Sequence, residues 1–220
     1  MRRAFASIAD RYVLTNHVLS LGIDVLWRRR VAKIVAAGNP GRVLDLATGS
    51  GDLAAAVQEA CGSQTEVIGA DFCAPMLRHA RERGLQKLVV ADGMRLPFEE
   101  ESFDALTIGY GLRNMESWSG ALQEMRRVLR PNAQLVILDF SLPKAALMRR
   151  PYRIYLHKLL PSLGGWLTGN REAYAYLGDS IERFPRGEQM TELIGGNGFS
   201  EARSIPLMGG ISSIYTATRK

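Results

Sequence analysis

Val43–Asp52, with the sequence VLDLATGSGD, is the stretch that decides the fold. Its first four residues include three large apolar side chains, which predict a short buried strand. A loop of small residues follows, and the run that begins at Asp52 predicts the first turns of a helix. Glycines allow the backbone of such a loop to approach a ligand, and the start of the helix offers N–H donors. The stretch therefore predicts a strand, a ligand-binding turn and a helix.

The glycine loop on its own fits more than one ligand. Gly49, Gly51 and Ala54 match the G-x-G-x-x-A spacing, and Asp71 follows twenty residues after Gly51, as in dinucleotide sites. Asp45 changes this interpretation, because a carboxylate just before the glycines would repel a pyrophosphate and attract a ligand with positive charge. S-adenosylmethionine, which carries an ammonium and a sulfonium, is such a ligand. The alternative is that Asp45 caps the turn and binds only its backbone.

Length and composition fit one globular domain. The chain has 220 residues, of which 46% are hydrophobic, and we expect residues 1–220 to form a single domain. A net charge of +6 permits contact with nucleic acid or with anionic lipid. Cys61 and Cys73 lack the spacing of metal ligands, so we expect no metal site and a reducing, cytoplasmic environment. No secretory leader is expected, because Asp10 and Arg11 interrupt the first apolar residues.

Strand and helix patterns alternate from Gly41 onward. The predicted strands are Val43–Leu46, Glu66–Ala70, Leu88–Ala91, Phe103–Gly109, Gln134–Phe140, Phe199–Pro206 and Ile211–Thr218. This alternation predicts an α/β fold, with a parallel sheet, helices on both faces and a closing hairpin at one edge. Residues 1–38 predict helices that pack on the sheet or cover the ligand as a lid. Residues 141–187 break the alternation and predict a helical insertion rich in aromatic and basic side chains.

Acidic residues stand at the ends of three successive predicted strands. They are Asp45, Asp71 and Asp92. Ligands of parallel α/β sheets bind beyond the carboxyl ends of the strands, so we expect these side chains to border one crevice. Asp71 is placed to accept both hydroxyls of a ribose, and Asp92 with Gly93 is placed to meet an adenine edge.

The core resembles the class I S-adenosylmethionine-dependent methyltransferases, whose Rossmann-like sheet has seven strands with the last antiparallel. The segment that carries this resemblance is Leu122–Phe140, LQEMRRVLRPNAQLVILDF. A narrower resemblance spans nearly the whole chain and is to the C-methyltransferases of menaquinone and ubiquinone biosynthesis. It is carried by FASIADRYVLTNHVLSLGIDVLW (5–27), TIGYGLRN (107–114), AYLGDSIERFP within 174–185, and Gly198-Phe199.

The resemblance implies the methylation of a ring carbon of a prenylated hydroquinone, with demethylmenaquinol favoured over the benzoquinol of the ubiquinone pathway. It implies that Ser50 and Gly109 join the cofactor site, although Gly109 replaces a hydroxyl residue and Thr48 replaces a loop glycine of the family. Arg113 is the candidate for stabilising the ring oxyanion, with Asn114 orienting the quinol and Tyr12 relaying a proton through water. A salt bridge from Arg113 to Glu116 or Asp139 is the alternative to that role.

His17 stands where the family has an acid and is a second candidate base, or else a surface histidine. The basic insertion suggests peripheral contact with the inner membrane face, with an ordinary core-covering role as the alternative. A homodimer is compatible with the sequence.

Three other functions compete with this hypothesis. A nicotinamide-dependent oxidoreductase would use the same glycine loop, but Asp45 and the absence of a second catalytic domain argue against it. A methyltransferase-like binding module without turnover is disfavoured by the three acidic strand ends. An RNA methyltransferase is permitted by the charge, but the sequence contains no recognisable aromatic-and-basic RNA-binding module, so no nucleic-acid partner is expected.

Overall fold

The computed structural model describes residues 22–162, 165 and 171–220. Within them, seven strands form one sheet: β1 (Arg42–Leu46), β2 (Glu66–Asp71), β3 (Lys87–Val90), β4 (Phe103–Gly109), β5 (Leu129–Phe140), β6 (Phe199–Leu207) and β7 (Ser212–Arg219). The helices of eight or more residues are α1 (Ile23–Ala36), α2 (Asp52–Cys61), α3 (Ala74–Glu82), α4 (Trp118–Val128), α5 (Ala146–Ile154), α6 (Arg171–Arg183) and α7 (Glu188–Gly196).

The strand order is β3-β2-β1-β4-β5-β7-β6. Strands β1 to β5 pair in parallel, whereas β7 runs antiparallel to both β5 and β6. The expected mostly parallel sheet with a closing hairpin is therefore confirmed. The order reverses between β1 and β4, and this is the place where open α/β sheets bind their ligands.

Side chains alternate between the two faces of the sheet. In β1, Leu44 and Leu46 belong to one buried cluster, and Val43 belongs to the other. Helices α1, α2 and α3 contribute buried residues on the Val43 face, while α4 and α7 do so on the Leu44 face. Because β1 and β4 have apolar neighbours on both faces, they read as nearly continuous apolar runs in the sequence.

Most predicted strand bounds lie within one residue of the observed ones, and Phe103–Gly109 agrees at both ends. Strand β5 differs, because it begins at Leu129 rather than at Gln134. Asn132, within the added residues, adopts a positive φ of 63°. The backbone continues along β4 through a register shift between Phe103 and Ala105, so residues 130–133 form a bulge within the pairing.

The region expected to be a helical insertion contains α5, a π-helical turn over Tyr155–Leu159, and α6. Five of its buried side chains form a small separate cluster: Leu142, Leu156, Leu160, Tyr174 and Ile181. At the other end of the chain, α1 packs on the Val43 face of the sheet. The remainder of the expected lid, residues 1–21, lies outside the described residues. In the described part of the chain, none of the helices has both the length and the apolar character needed to cross a bilayer.

Candidate active site

A cavity of about 490 Å³ lies at the carboxyl ends of β1, β2 and β4. The three acidic residues predicted from the strand ends all line it, together with four further predicted site residues: Gly49, Ser50, Gly93 and Gly109. Asn114 and Arg28 also lie on its wall. The expected crevice therefore exists, and the predicted acidic side chains converge on it.

Asp45 is almost completely buried, with 1% of its surface exposed. Its Oδ2 accepts a hydrogen bond from Thr48 Oγ1 and its Oδ1 accepts one from Thr107 Oγ1, each at 2.6 Å. Thr107 reaches the carboxylate because it is the direct partner of Asp45 in the parallel pairing of β1 with β4. Burial raises the pKa of Asp45 to about 6, against the lowering effect of the two hydroxyls. These side-chain contacts distinguish Asp45 from a cap that binds only the turn's backbone.

Asp71, at the end of β2, is held by the backbone on both sides. Its Oδ2 accepts from the N–H of Gly49 and its Oδ1 accepts from the N–H of Cys73, each at 2.8 Å. Burial raises the pKa of Asp71, and these two N–H groups oppose the rise. The carboxylate is thus fixed in orientation at the cavity wall, as recognition of two neighbouring hydroxyls would require.

Two glycines form part of the cavity wall where a side chain would collide. A Cβ atom on Gly93 would lie 2.7 Å from Cε of Met115, and one on Gly109 would lie 3.0 Å from Cδ2 of Leu53. Asp92, which precedes Gly93, is exposed and accepts a hydrogen bond from the N–H of Met94 at 3.0 Å. A side chain at Gly93 or Gly109 would therefore displace Met115 or Leu53, which also line the cavity.

Part of the glycine loop lines the cavity, and part of it packs against the rest of the fold. Gly49 and Ser50 line the cavity, and the Ser50 hydroxyl donates to the Asp52 carboxylate. Gly51, the residue before α2, has a φ of 80°, and a Cβ there would lie 2.5 Å from Cδ1 of Leu85. Among the described residues that line the cavity, Gly51 does not appear. Its contact is with the packing around α3, so a direct cofactor contact by Gly51 stays a prediction.

Arg113 lies on a short 3₁₀ turn over Leu112–Asn114, just after β4. Its Nη1 is 2.8 Å from Oδ1 of Asp139 and also donates to the carbonyl oxygen of Tyr110. Only 5% of Arg113 is exposed, and it is not among the described residues on the cavity wall. The salt bridge to Asp139, considered as an alternative from the sequence, is present. Arg113 therefore holds the turn that carries Asn114, and its role toward a ring oxyanion stays a prediction without a contact to support it.

Asn114 links the cavity to the helical insertion. Its Nδ2 donates to the carbonyl oxygen of Tyr110, and its Oδ1 accepts from the hydroxyl of Tyr176 in α6, each at 3.3 Å. The amide of Asn114 is consequently oriented by two neighbours while it lines the cavity. Tyr12 and His17, the other candidates for proton transfer, lie outside the described residues.

The seven-stranded order with its antiparallel β7, and the acidic strand ends around one cavity, define a class I methyltransferase fold. A solved structure from Thermotoga maritima, described as an S-adenosylmethionine-dependent methyltransferase and possible histamine N-methyltransferase, is similar with a TM-score of 0.70. The similarity covers 100% of this chain and 99% of that one, at 18% identity. At this identity the match supports the fold alone.

Residues 1–219 match the model of the ubiE/COQ5 methyltransferase family, and the chain belongs to that family. It is similar to a demethylmenaquinone methyltransferase of Thermus thermophilus, with 42% identity over 98% of this chain and 99% of the relative. It is also similar to a ubiquinone/menaquinone biosynthesis C-methyltransferase UbiE of Citrifermentans bemidjiense, with 38% identity over 100% of this chain and 96% of the relative. The resemblance noted in the sequence is thereby confirmed, and an oxidoreductase is no longer supported.

Proposed function

We propose that the protein is an S-adenosylmethionine-dependent C-methyltransferase that converts demethylmenaquinol to menaquinol. The observation that carries the proposal is the convergence of Asp45, Asp71 and Asp92 on one cavity in a chain of this family. Matches over nearly full length to relatives named demethylmenaquinone methyltransferase support the choice of substrate. Methylation of the benzoquinol of the ubiquinone pathway is the second candidate, because other relatives carry both pathway names.

The donor groups of the cavity fit this cofactor. Asp45 offers a buried carboxylate for a cationic head, and Asp71 offers an oriented carboxylate for two ribose hydroxyls. Asp92 and Gly93 line the same cavity, and the Asp92 carboxylate offers an acceptor for an adenine amino group. Three acidic residues and few basic ones would not suit a ligand that carries phosphates.

The bound cofactor supplies an electrophilic methyl group, so the protein's task is to present a nucleophilic ring carbon to it. A phenol-like pKa of about 10 leaves roughly 10⁻³ of the quinol ionised at pH 7, which is a cost of about 4 kcal/mol. Alignment of reacting atoms contributes as much as about 7–11 kcal/mol in well-oriented systems. Positioning is therefore the larger contribution that this chain's residues must make.

Asn114 is the described residue that is best placed to orient the quinol. It lines the cavity, and contacts with Tyr110 and Tyr176 fix its amide. Arg113 supports the position of Asn114, because its pair with Asp139 holds the turn that carries both residues, and it stays our candidate for stabilising the ring oxyanion. Tyr12 stays our candidate for relaying the proton that leaves the ring hydroxyl.

A methyl-transfer assay tests the proposal directly. Purified protein is incubated with methyl-labelled cofactor and, in separate reactions, with demethylated naphthoquinol and benzoquinol, and the labelled lipid is identified by mass spectrometry. We expect label on the naphthoquinol ring. Label on the benzoquinol alone would assign the protein to the ubiquinone pathway instead. Label on neither quinol would overturn the proposal. The Asn114→Ala variant should lose turnover but keep its affinity for S-adenosylhomocysteine.

The same proposal includes peripheral contact with an anionic membrane surface through α5. None of the residues of α5 is buried. Leu147 is 88% exposed and Ile154 is 55% exposed, and Arg150 and Arg153 are exposed on the same helix. Apolar side chains flanked by arginines suit the boundary between lipid headgroups and acyl chains. A prenylated substrate would be reached from that boundary.

Vesicle co-sedimentation tests the membrane contact. We expect binding to vesicles that contain anionic phospholipid at low salt, with weaker binding at high salt or to zwitterionic vesicles. The Leu147→Gln variant should bind less than the wild type. The Leu26→Gln variant is the matched control, because Leu26 is a 61% exposed leucine on α1. Absence of vesicle binding at either salt concentration would remove the membrane contact from the proposal without affecting the assignment of the methyl transfer.

A further inference from the structure

Arg28 reaches the cavity from α1, a helix whose buried residues pack on the sheet. Its Nη1 lies 2.6 Å from Oδ2 of Asp24, one helical turn earlier, and the two side chains are only 12% and 2% exposed. A charge pair this poorly exposed is held in one orientation more firmly than a surface pair. The guanidinium of Arg28 is therefore a preorganised cation at the cavity wall.

A positive and a negative side chain, Arg28 and Asp45, lie in the same part of the cavity. Asp45 also lines the cavity, and the positive charge of Arg28 lowers the pKa of Asp45, in opposition to burial. The Cζ atom of Arg28 lies 5.8 Å from the ring centroid of Tyr110, which lines the same wall. This end of the cavity thus presents a carboxylate and a guanidinium, and it differs from the purely acidic surroundings that the sequence suggested.

We propose that Arg28 binds the carboxylate of the cofactor's amino-acid head, opposite an ammonium that faces Asp45. The inference rests on the proposed function, and it adds a residue that determines which ligands the cavity accepts. The planar guanidinium matches a carboxylate with paired N–H donors, a geometry that an ammonium side chain does not reproduce. The cavity then selects ligands with a zwitterionic α-amino acid head over nucleosides that lack it.

Two commercially available ligands separate this role from a purely structural one. S-adenosylhomocysteine carries the amino-acid head, and 5′-methylthioadenosine carries the same nucleoside without it. Calorimetric titration of the full chain with each ligand measures the affinities without any turnover. In the Arg28→Gln variant we expect a ten- to hundredfold loss of affinity for S-adenosylhomocysteine, as for a lost charge-assisted hydrogen bond, and a change of less than about twofold for 5′-methylthioadenosine.

Two further variants control for the change of net charge and for misfolding. Arg29→Gln makes the same change of net charge at an exposed position on the same helix, and it should leave both affinities unchanged. Arg28→Lys retains a cation beside Asp24, so it guards against misfolding of the glutamine variant, and it should lose several-fold in affinity for S-adenosylhomocysteine alone. Equal losses for both ligands in both Arg28 variants, or no loss for either ligand, would overturn the inference. A wild-type protein that binds neither ligand would instead overturn the proposed function.

Discussion

The Asp45→Asn variant should be more stable than the wild type while binding the cofactor less well. Asp45 is fully buried, and its pKa rises from 3.8 to about 6 on folding. An acid whose pKa is raised by folding stabilises the folded state in its protonated form. The contribution of Asp45 to stability therefore declines as the pH rises from about 4 to about 7. From these two pKa values the cost of ionised Asp45 is roughly 1–2 kcal/mol at pH 5 and about 3 kcal/mol at pH 8.

Asparagine resembles the neutral acid and retains hydrogen bonds to the two threonine hydroxyls, so the variant should avoid this cost. For a chain of this size, about 3 kcal/mol corresponds to a melting temperature about 5–10 °C higher at pH 8, with a smaller difference at pH 5. Thermal unfolding of the ligand-free protein, followed by circular dichroism, measures both differences. Glu59→Gln, at an exposed carboxylate of α2, is the control. A variant that melts at or below the wild type at pH 8, or whose advantage is independent of pH, would refute this reasoning.

Three further predictions follow from buried contacts. The affinity of the wild type for S-adenosylhomocysteine should fall about tenfold per pH unit below pH 6, where Asp45 becomes protonated, and calorimetry of the Asp45→Asn variant should show no such dependence. Gly51→Ala should cost roughly 1–3 kcal/mol more stability than Gly62→Ala, because both residues have a φ of 80° but only Gly51 would collide with neighbouring atoms; urea unfolding of both variants checks this. Arg113→Met should cost roughly 3–5 kcal/mol by removing the cation that pairs with buried Asp139, and much of that loss should be recovered when Asp139→Asn is added; failure of this rescue in denaturant unfolding would contradict the charge-pair explanation.

The parallel part of the fold was accessible from the sequence because its strands are buried on both faces. Phe103–Gly109 carries apolar residues at most positions, so both ends of that strand could be predicted. The convergence of Asp45, Asp71 and Asp92 was accessible for a related reason. The carboxyl ends of parallel strands meet at one edge of the sheet, so residues at those ends become neighbours whatever the exact register.

Side-chain contacts that depend on strand register or on a distant element could not be predicted from the sequence. Thr107 donates to Asp45 only because β1 and β4 align these two residues, and no pattern in either strand specifies that alignment. Arg113 had two candidate carboxylates, and the sequence does not decide between nearby Glu116 and Asp139, which is 26 residues away on the adjacent strand. Arg28 lies in the segment that the sequence predicts only as covering helices, because helical periodicity identifies a buried face but not the cavity that borders it.

The position of β7 has a consequence for how the protein is made. This strand is the last of the seven to be translated, yet it pairs on both sides and separates β5 from β6. Until residues 212–219 leave the ribosome, β5 exposes an unpaired edge and β6 has no neighbour, and such edges recruit other unfinished chains. The nascent polypeptide therefore cannot complete its sheet before β7 is made. Variants in β7 should reduce the yield of soluble protein more than variants in β2 that lower the free energy of unfolding by the same amount.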